Sequence, residues 1–292
     1  MTARARDPIV AAAAALAAVI ALAADARARQ APPAASDNHW IPPRTADGQP
    51  DIQGYWGNQG RRLATYDIEA PADERHVLFS GNPTDKHSLI VDPADGRIPY
   101  QPWARARRQE VFDHHTEITS WDHVDPHTRC FLSGVPRMFY QGTIRIVQSP
   151  GYVFILQEFN HSYRVIPLGD RPHVGANIKL WVGDSRGRWV GNTLVVDVTN
   201  VNGRTWFDMV GDFYSDAARI TEQFTVKGPD MIEYQATFED AKVYTRPFTM
   251  AVTLGRAVKG DAARTYQLME EACLEGERNI PLMLYKLGSD RR

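Results

Sequence analysis

The sequence predicts a mainly β protein built around an antiparallel, up-and-down barrel, and three observations carry that expectation. From residue 143 to residue 274 the chain is a succession of short β-branched and aromatic runs separated by turn chemistry. No stretch between these runs reads as a helix long enough for a parallel crossover, so neighbouring runs should pair antiparallel. Several runs alternate large apolar with polar residues, as half-buried strands do. Nine or ten such strands can curl into a lipocalin-like barrel; a two-sheet sandwich is the alternative arrangement.

The chain begins with a different signal. Arg4 and Arg6 precede an apolar run over residues 9–24, and Ala26-Arg27-Ala28 follows it: a positive segment, an apolar segment and an A-x-A cleavage site. Residues 1–28 are therefore expected to be a cleavable secretory signal peptide, and the mature protein to be periplasmic or secreted from a bacterium. The alanine-rich run is short for a bilayer span, which needs about 20 apolar residues, so no stable membrane span is expected after cleavage. Ala5 separates the two arginines, which favours the general secretory route over the twin-arginine one. The formal charge is −2 at pH 7. That balance lacks the basic excess of a phosphate-binding surface and argues against a nucleic-acid partner.

Residues 29–38 are rich in alanine and proline and read as a flexible tether. Residues 39–142 are expected to form an irregular arm packed on the barrel: turn-rich stretches at 39–44 and 47–51, then the aromatics of Gly54-Tyr55-Trp56-Gly57. Residues 103–115 read WARARRQEVFDHH, good helix formers, and predict one short helix flanking or plugging the barrel. The barrel itself is expected over 143–292, with strands at 143–148, 152–159, 163–168, 179–182, 188–190, 193–199, 219–226, 231–239, 248–254 and 265–272. The only cysteines, Cys130 and Cys273, are expected to pair in an oxidising compartment and close a loop of about 140 residues. Neither sits in a recognisable nucleophile motif.

Alternation suggests which polar groups point inward. Glu222 falls between Ile220 and Phe224, and Glu158 follows Tyr152, Phe154 and Leu156 at even spacing, so both carboxylates are expected on apolar faces. A desolvated carboxylate has its pKa raised unless a cation or donors compensate, which is how a general acid or base is made. The alternative is a structural ion pair with Arg164 or Arg246. Histidines cluster at Asp113-His114-His115 and Asp122-His123-Val124-Asp125-Pro126-His127. His123, with Asp122 and Asp125 beside it, is the preferred acid–base histidine. Pro126 disfavours the helix that would align His123 with His127, and no metal-binding motif accompanies them, so no metal is expected. Asp197 and Thr199 should lie opposite Leu194, Val196 and Val198. The loop at 200–208 is dense in hydrogen-bonding and aromatic groups, as at the mouth of a pocket. Candidate ligand-binding residues are His161, Tyr163, Arg164, Asp197, Trp206 and Asp208.

The stretch 183–200, GDSRGRWVGNTLVVDVTN, carries a resemblance. Together with LIVDP at 89–93, GRIPY at 96–100, Arg129-Cys130, Gly134-Val135-Pro136-Arg137, Thr205-Trp206-Phe207-Asp208, Ser215-Asp216, Glu239-Asp240 and YTRPF at 244–248, it resembles a group of exported bacterial proteins usually described only as hypothetical. The likeness runs over most of the mature chain. It implies the fold and the export, and it transfers no reaction.

No nucleophile elbow, phosphate-binding loop, dinucleotide fingerprint or haem-attachment motif is expected, and no cofactor. The functional expectation is an exported barrel enzyme that acts on a small aromatic, terpenoid or glycoside-like molecule by carboxylate and histidine acid–base chemistry, as a lyase, isomerase or hydrolase. The alternatives are a non-catalytic lipocalin-like carrier and an envelope structural or interaction module.

Overall fold

The computed structural model describes residues 40–58, 66–69, 88–115, 117–140, 142–273 and 275. The expected leader at 1–28 and tether at 29–38 lie outside them. Ten strands form one antiparallel sheet: β1 Gly54–Asn58, β2 Ile90–Asp92, β3 Ile144–Ser149, β4 Tyr152–Gln157, β5 Tyr163–Pro167, β6 Asp184–Val190, β7 Thr193–Thr199, β8 Arg219–Gly228, β9 Met231–Glu239 and β10 Phe248–Arg256. The order is β5-β4-β3-β1-β10-β9-β8-β7-β6, with β2 added beside β10. The ends of this path, β5 and β6, meet through a parallel bridge between Leu168 and Gly187. Gly169 N donates to Gly187 O there, at 3.0 Å. The result is a nearly closed nine-strand barrel.

The meander follows from hairpins with two-residue turns, such as Pro150-Gly151 between β3 and β4 and Gly191-Asn192 between β6 and β7; Gly151 and Gly191 both have positive φ. Alternation then sorts the faces. Leu194, Val196 and Val198 of β7 are buried, with Asp197 on the outer face. Ile220, Glu222, Phe224 and Val226 of β8 point inward with Ile232, Tyr234, Ala236 and Phe238 of β9. Two loop segments fill the interior. Phe139, in the 3-10 turn Arg137–Phe139, meets Tyr234 and Phe224 at 4.5 and 5.2 Å between ring centres. Phe207 meets Phe238 and Phe248 at 4.9 and 6.0 Å.

The predicted helix is present as α1, Pro102–His114, with proline in its first turn and Ala104, Arg108 and Val111 on its buried face. It flanks the barrel. The Cys130–Cys273 bridge is formed, with Cα atoms 5.7 Å apart. Four expectations are corrected. Residues 179–182 are no strand: Leu180 makes a single bridge to Val201, in a loop with Gly183 at positive φ. Residues 265–272 are no strand either; a four-residue helix, α2, occupies Ala262–Thr265. β6 runs through Asp184-Ser185-Arg186-Gly187, which reads as a turn because of its glycines. The arm is not wholly irregular, because β1 inserts between β3 and β10 and β2 pairs with Thr249 and Met250.

Candidate functional site

The charged pair inside the barrel, Arg164 and Glu222, is fully engaged, while the indole nitrogen of Trp189, on the same face of β6 as Ser185, is buried without a partner. Arg164 Nη1 donates to Glu222 Oε1 at 2.9 Å, and its Nη2 to Glu222 Oε2. Tyr234 OH donates to Oε1 at 2.8 Å, and Arg164 Nε donates to Ser185 Oγ at 2.8 Å. Both charged side chains are buried, and every arm of the guanidinium that contacts the barrel has an acceptor. Arg164 thus ties β5 to β6 and β8 from inside, across the seam where the sheet closes, and Glu222 extends the tie to Tyr234 of β9. Ser185 is the centre of Gly183-Asp184-Ser185-Arg186-Gly187, a literal G-x-S-x-G. It lies buried within a strand and accepts from Arg164, whereas a nucleophile elbow needs an exposed hydroxyl on a strand-to-helix turn.

Glu158 is not on the inner face. β4 buries Val153, Ile155 and Gln157 instead, so Tyr152, Phe154 and Leu156 face outward, and Glu158 lies past the strand as the N-cap of the 3-10 turn Phe159–His161. Its carboxylate accepts from Thr143 N at 3.1 Å, Tyr266 OH at 3.1 Å and Met269 N at 3.3 Å, and so fastens the segment that leads to Cys273. His123 is buried and stacked on His114, with ring centres 4.4 Å apart. Its Nε2 lies 3.4 Å from Glu110 Oε1 and its Nδ1 3.2 Å from Thr119 Oγ1. The expected partner Asp125 holds Arg137 instead, at 2.8 and 2.7 Å. No hydrogen bond, ion pair or shared partner links Glu158, Glu222 and His123 among the described residues.

Asp208 is fully buried, away from any mouth. It forms a cluster with Asp67 and Asp212, their carboxylate oxygens within 4.8 Å of one another. Arg108 of α1 supplies the balancing charge, with Nη2 2.5 Å from Asp67 and 3.2 Å from Asp212. Tyr100 OH donates to Asp212 at 3.0 Å, and Asp208 accepts from the amides of Ile68, Val210 and Asp212. Burial, then the Asp212 charge, pushes Asp67 up to about 7 and Asp208 well above the ordinary range. For Asp212 burial acts in the same direction, but Arg108 and the hydrogen bonds outweigh it and hold the carboxyl low. The cluster joins α1, residues 66–69 and the 205–214 loop.

An open cleft of about 290 Å³ lies where α1, the 121–131 segment, the 170–183 loop and the 200–208 loop converge. Its lining is Arg107, Arg129 and Arg204, a single carboxylate at Asp122, and Phe131, Trp181, Trp206, Pro126 and Gly203. The sequence places them there by local rules. Arg107 sits on α1 off its buried stripe, and its guanidinium lies over Phe213 at 4.4 Å. Phe131 and Trp181 stack at 4.9 Å and 15°. Gly203 has φ +66° and approaches residues 215–216 so closely that a Cβ would stand 2.5 Å from Asp216 N; this holds Arg204 and Trp206 at the rim. Arg129 and Phe131 flank the bridged Cys130.

Of the predicted ligand residues, Trp206 lines this cleft. Arg164 lies inside the barrel, and Tyr163 is exposed on its outer face. Asp197, also on the outer face, bonds His173 at 2.9 Å. His161 is half exposed, 3.9 Å from Glu270. Arg107, Arg129 and Phe131 were not foreseen, while Arg204 belongs to the 200–208 loop expected at a pocket mouth and Trp181 to the aromatics that suggest a ring-containing ligand.

No protein-family model matches the chain, and no curated protein matches it. Two crystal structures of variants of the fluorescent protein UnaG have slight likeness to it. They are 16% and 18% identical, with TM-scores of 0.24 and 0.23, each match covering 40% of this chain and 72% of the other.

Proposed function

We propose that this is an exported small-molecule-binding protein that holds its ligand in the arginine and aromatic cleft, with the barrel as rigid support. One contrast carries the reading. The charged groups that point into the barrel, Arg164 and Glu222, are already paired with one another, whereas the three cleft arginines make no ion pair within 4.0 Å among the described residues. A guanidinium without a carboxylate, beside aromatic faces and open to solvent, is what a binding site for a small polar ring compound presents. Export is supported by the leader-like segment in the sequence and by the Cys130–Cys273 bridge, a bond that persists in oxidising compartments. The acid–base reading loses support because its three residues share no site.

The test is a screen of the secreted protein against phenolic, terpenoid and glycoside libraries, following tryptophan fluorescence for binding and mass spectrometry for turnover. The expected result is saturable binding without product, weakened in Trp181→Ala and retained in a folded Glu222→Gln variant. Turnover that disappears in Glu222→Gln while Trp181→Ala behaves as wild type would return the site to the barrel interior and make the protein an enzyme.

A further inference from the structure

Given that the cleft is the binding site, we propose that its ligand is a one- or two-ring aromatic carboxylate, its ring against Trp181, Phe131 and Trp206 and its carboxylate on Arg129 and Arg204. The charge of the lining sets the sign: three guanidiniums face one carboxylate, Asp122. Elsewhere the buried arginines Arg108, Arg137 and Arg164 each hold an acidic side chain, whereas the cleft arginines, like Arg44, Arg145, Arg171 and Arg188 on the surface, make no ion pair among the described residues. Among these Arg129 stands apart. Its Nε is buried and has no hydrogen-bond partner, and its guanidinium lies over Phe131 at 5.4 Å and Trp121 at 6.0 Å. Burial works against its charged form, and Asp125 and Asp122 offset that only in part. A desolvated donor costs free energy until an acceptor reaches it, and a planar carboxylate matches the guanidinium fork.

Ring and size follow from the walls. The Phe131–Trp181 pair is nearly parallel, and Arg129 already lies over Phe131, so a flat ring extends an existing stack. A volume of about 290 Å³ stands at the lower end of small-ligand sites. That admits one or two fused rings and excludes a polymer segment. Arg129 and Arg204, opposed by Asp122, leave one uncompensated positive charge where the anion is placed, which matches a monoanion, while Arg107 lies over Phe213.

Fluorescence titrations of the secreted protein with 2-naphthoate, methyl 2-naphthoate, 2-naphthyl phosphate and inorganic phosphate separate these statements. The expected result is binding of 2-naphthoate at least about tenfold tighter than of the ester or the aryl phosphate, with inorganic phosphate inert. Arg129→Gln and the solvent-exposed Arg204→Gln should each weaken 2-naphthoate about tenfold and leave the ester unchanged. Arg204→Gln keeps the test valid if Arg129→Gln fails to fold. Equal binding of acid and ester, indifferent to both arginines, overturns the carboxylate assignment while leaving the cleft as the site. Competition by inorganic phosphate at the same concentration as 2-naphthoate overturns the aromatic part. Binding of the acid that is unchanged in Trp181→Ala overturns the cleft reading itself.

Discussion

Arg164 and Glu222 are both buried, so their contribution depends on keeping the pair whole. Removing one partner leaves a desolvated charge, a loss of about 3–5 kcal/mol. Glu222→Leu should therefore lower the urea-derived unfolding free energy by about that amount, and Arg164→Met with Glu222→Leu together should recover most of it. Additive losses in the double variant would contradict the account. Two other buried groups give stability opposite pH dependences. Burial, reinforced by the Asp212 charge, raises folded Asp67 to about 7, against 3.8 for an ordinary aspartate. Between those values the folded chain holds a proton that the unfolded chain has released, so Asp67 makes stability fall as pH rises from about 4 to about 7. His127 is pushed down to about 3 by burial and then by Arg137. There the unfolded chain binds the extra proton, so stability rises with pH between about 3 and about 6.5. Unfolding free energies across this range should lose the first slope in Asp67→Asn and the second in His127→Phe; curves parallel to wild type would refute the assignment. At this scale the sequence was partly legible. Period-two alternation found the inward Glu222 because β8 continues well past it. It misplaced Glu158 because both faces of β4 carry apolar residues, and the one taken as inward, Tyr152, Phe154 and Leu156, faces outward; the strand also ends at Gln157.

Among the elements, the closing seam is the most sensitive. A Cβ on Gly187 would stand 2.8 Å from Ile166 Cγ2 and 2.9 Å from Leu168 Cδ2, so β5 and β6 meet only because this residue has no side chain. Gly187→Ala is expected to cost about 1–3 kcal/mol as overpacking. Gly203→Ala should cost more, because its close neighbour is backbone and its φ is positive. Urea titration of both variants checks the order, and a neutral Gly187→Ala would mean that the seam is open. The long strands β7 to β10 were readable because each carries a full alternating pattern between turn residues. β1 and β2 were not: five residues with two glycines, and three residues, hold too little pattern, and their place is fixed by pairing with strands far along the chain. The run at 265–272 shows the converse, since only Thr265 and Tyr266 are β formers and the Gln-Leu-Met-Glu-Glu-Ala that follows has no strand composition.

For the whole molecule, the barrel class followed from strand count and hairpin spacing, but the cleft did not. It is assembled from α1, the 121–131 segment and two long loops, and no local pattern announces that residues 107, 129, 181 and 204 meet. The Cys130–Cys273 bridge, with a sequence separation of 143, closes most of the barrel and anchors the Arg129–Phe131 wall. Replacing both cysteines with serine should lower the unfolding free energy by about 4–5 kcal/mol on the chain-entropy account and weaken ligand binding in the variant that remains folded. Unchanged affinity would uncouple the bridge from the cleft. The central claim, that the ligand occupies the cleft and the barrel interior stays closed to it, is tested most directly by hydrogen exchange with and without saturating 2-naphthoate. Slower exchange at residues 126–131, 178–183 and 202–206 with β8 and β9 unchanged is the predicted result. Protection confined to β8 and β9, with those three segments unaffected, would contradict it.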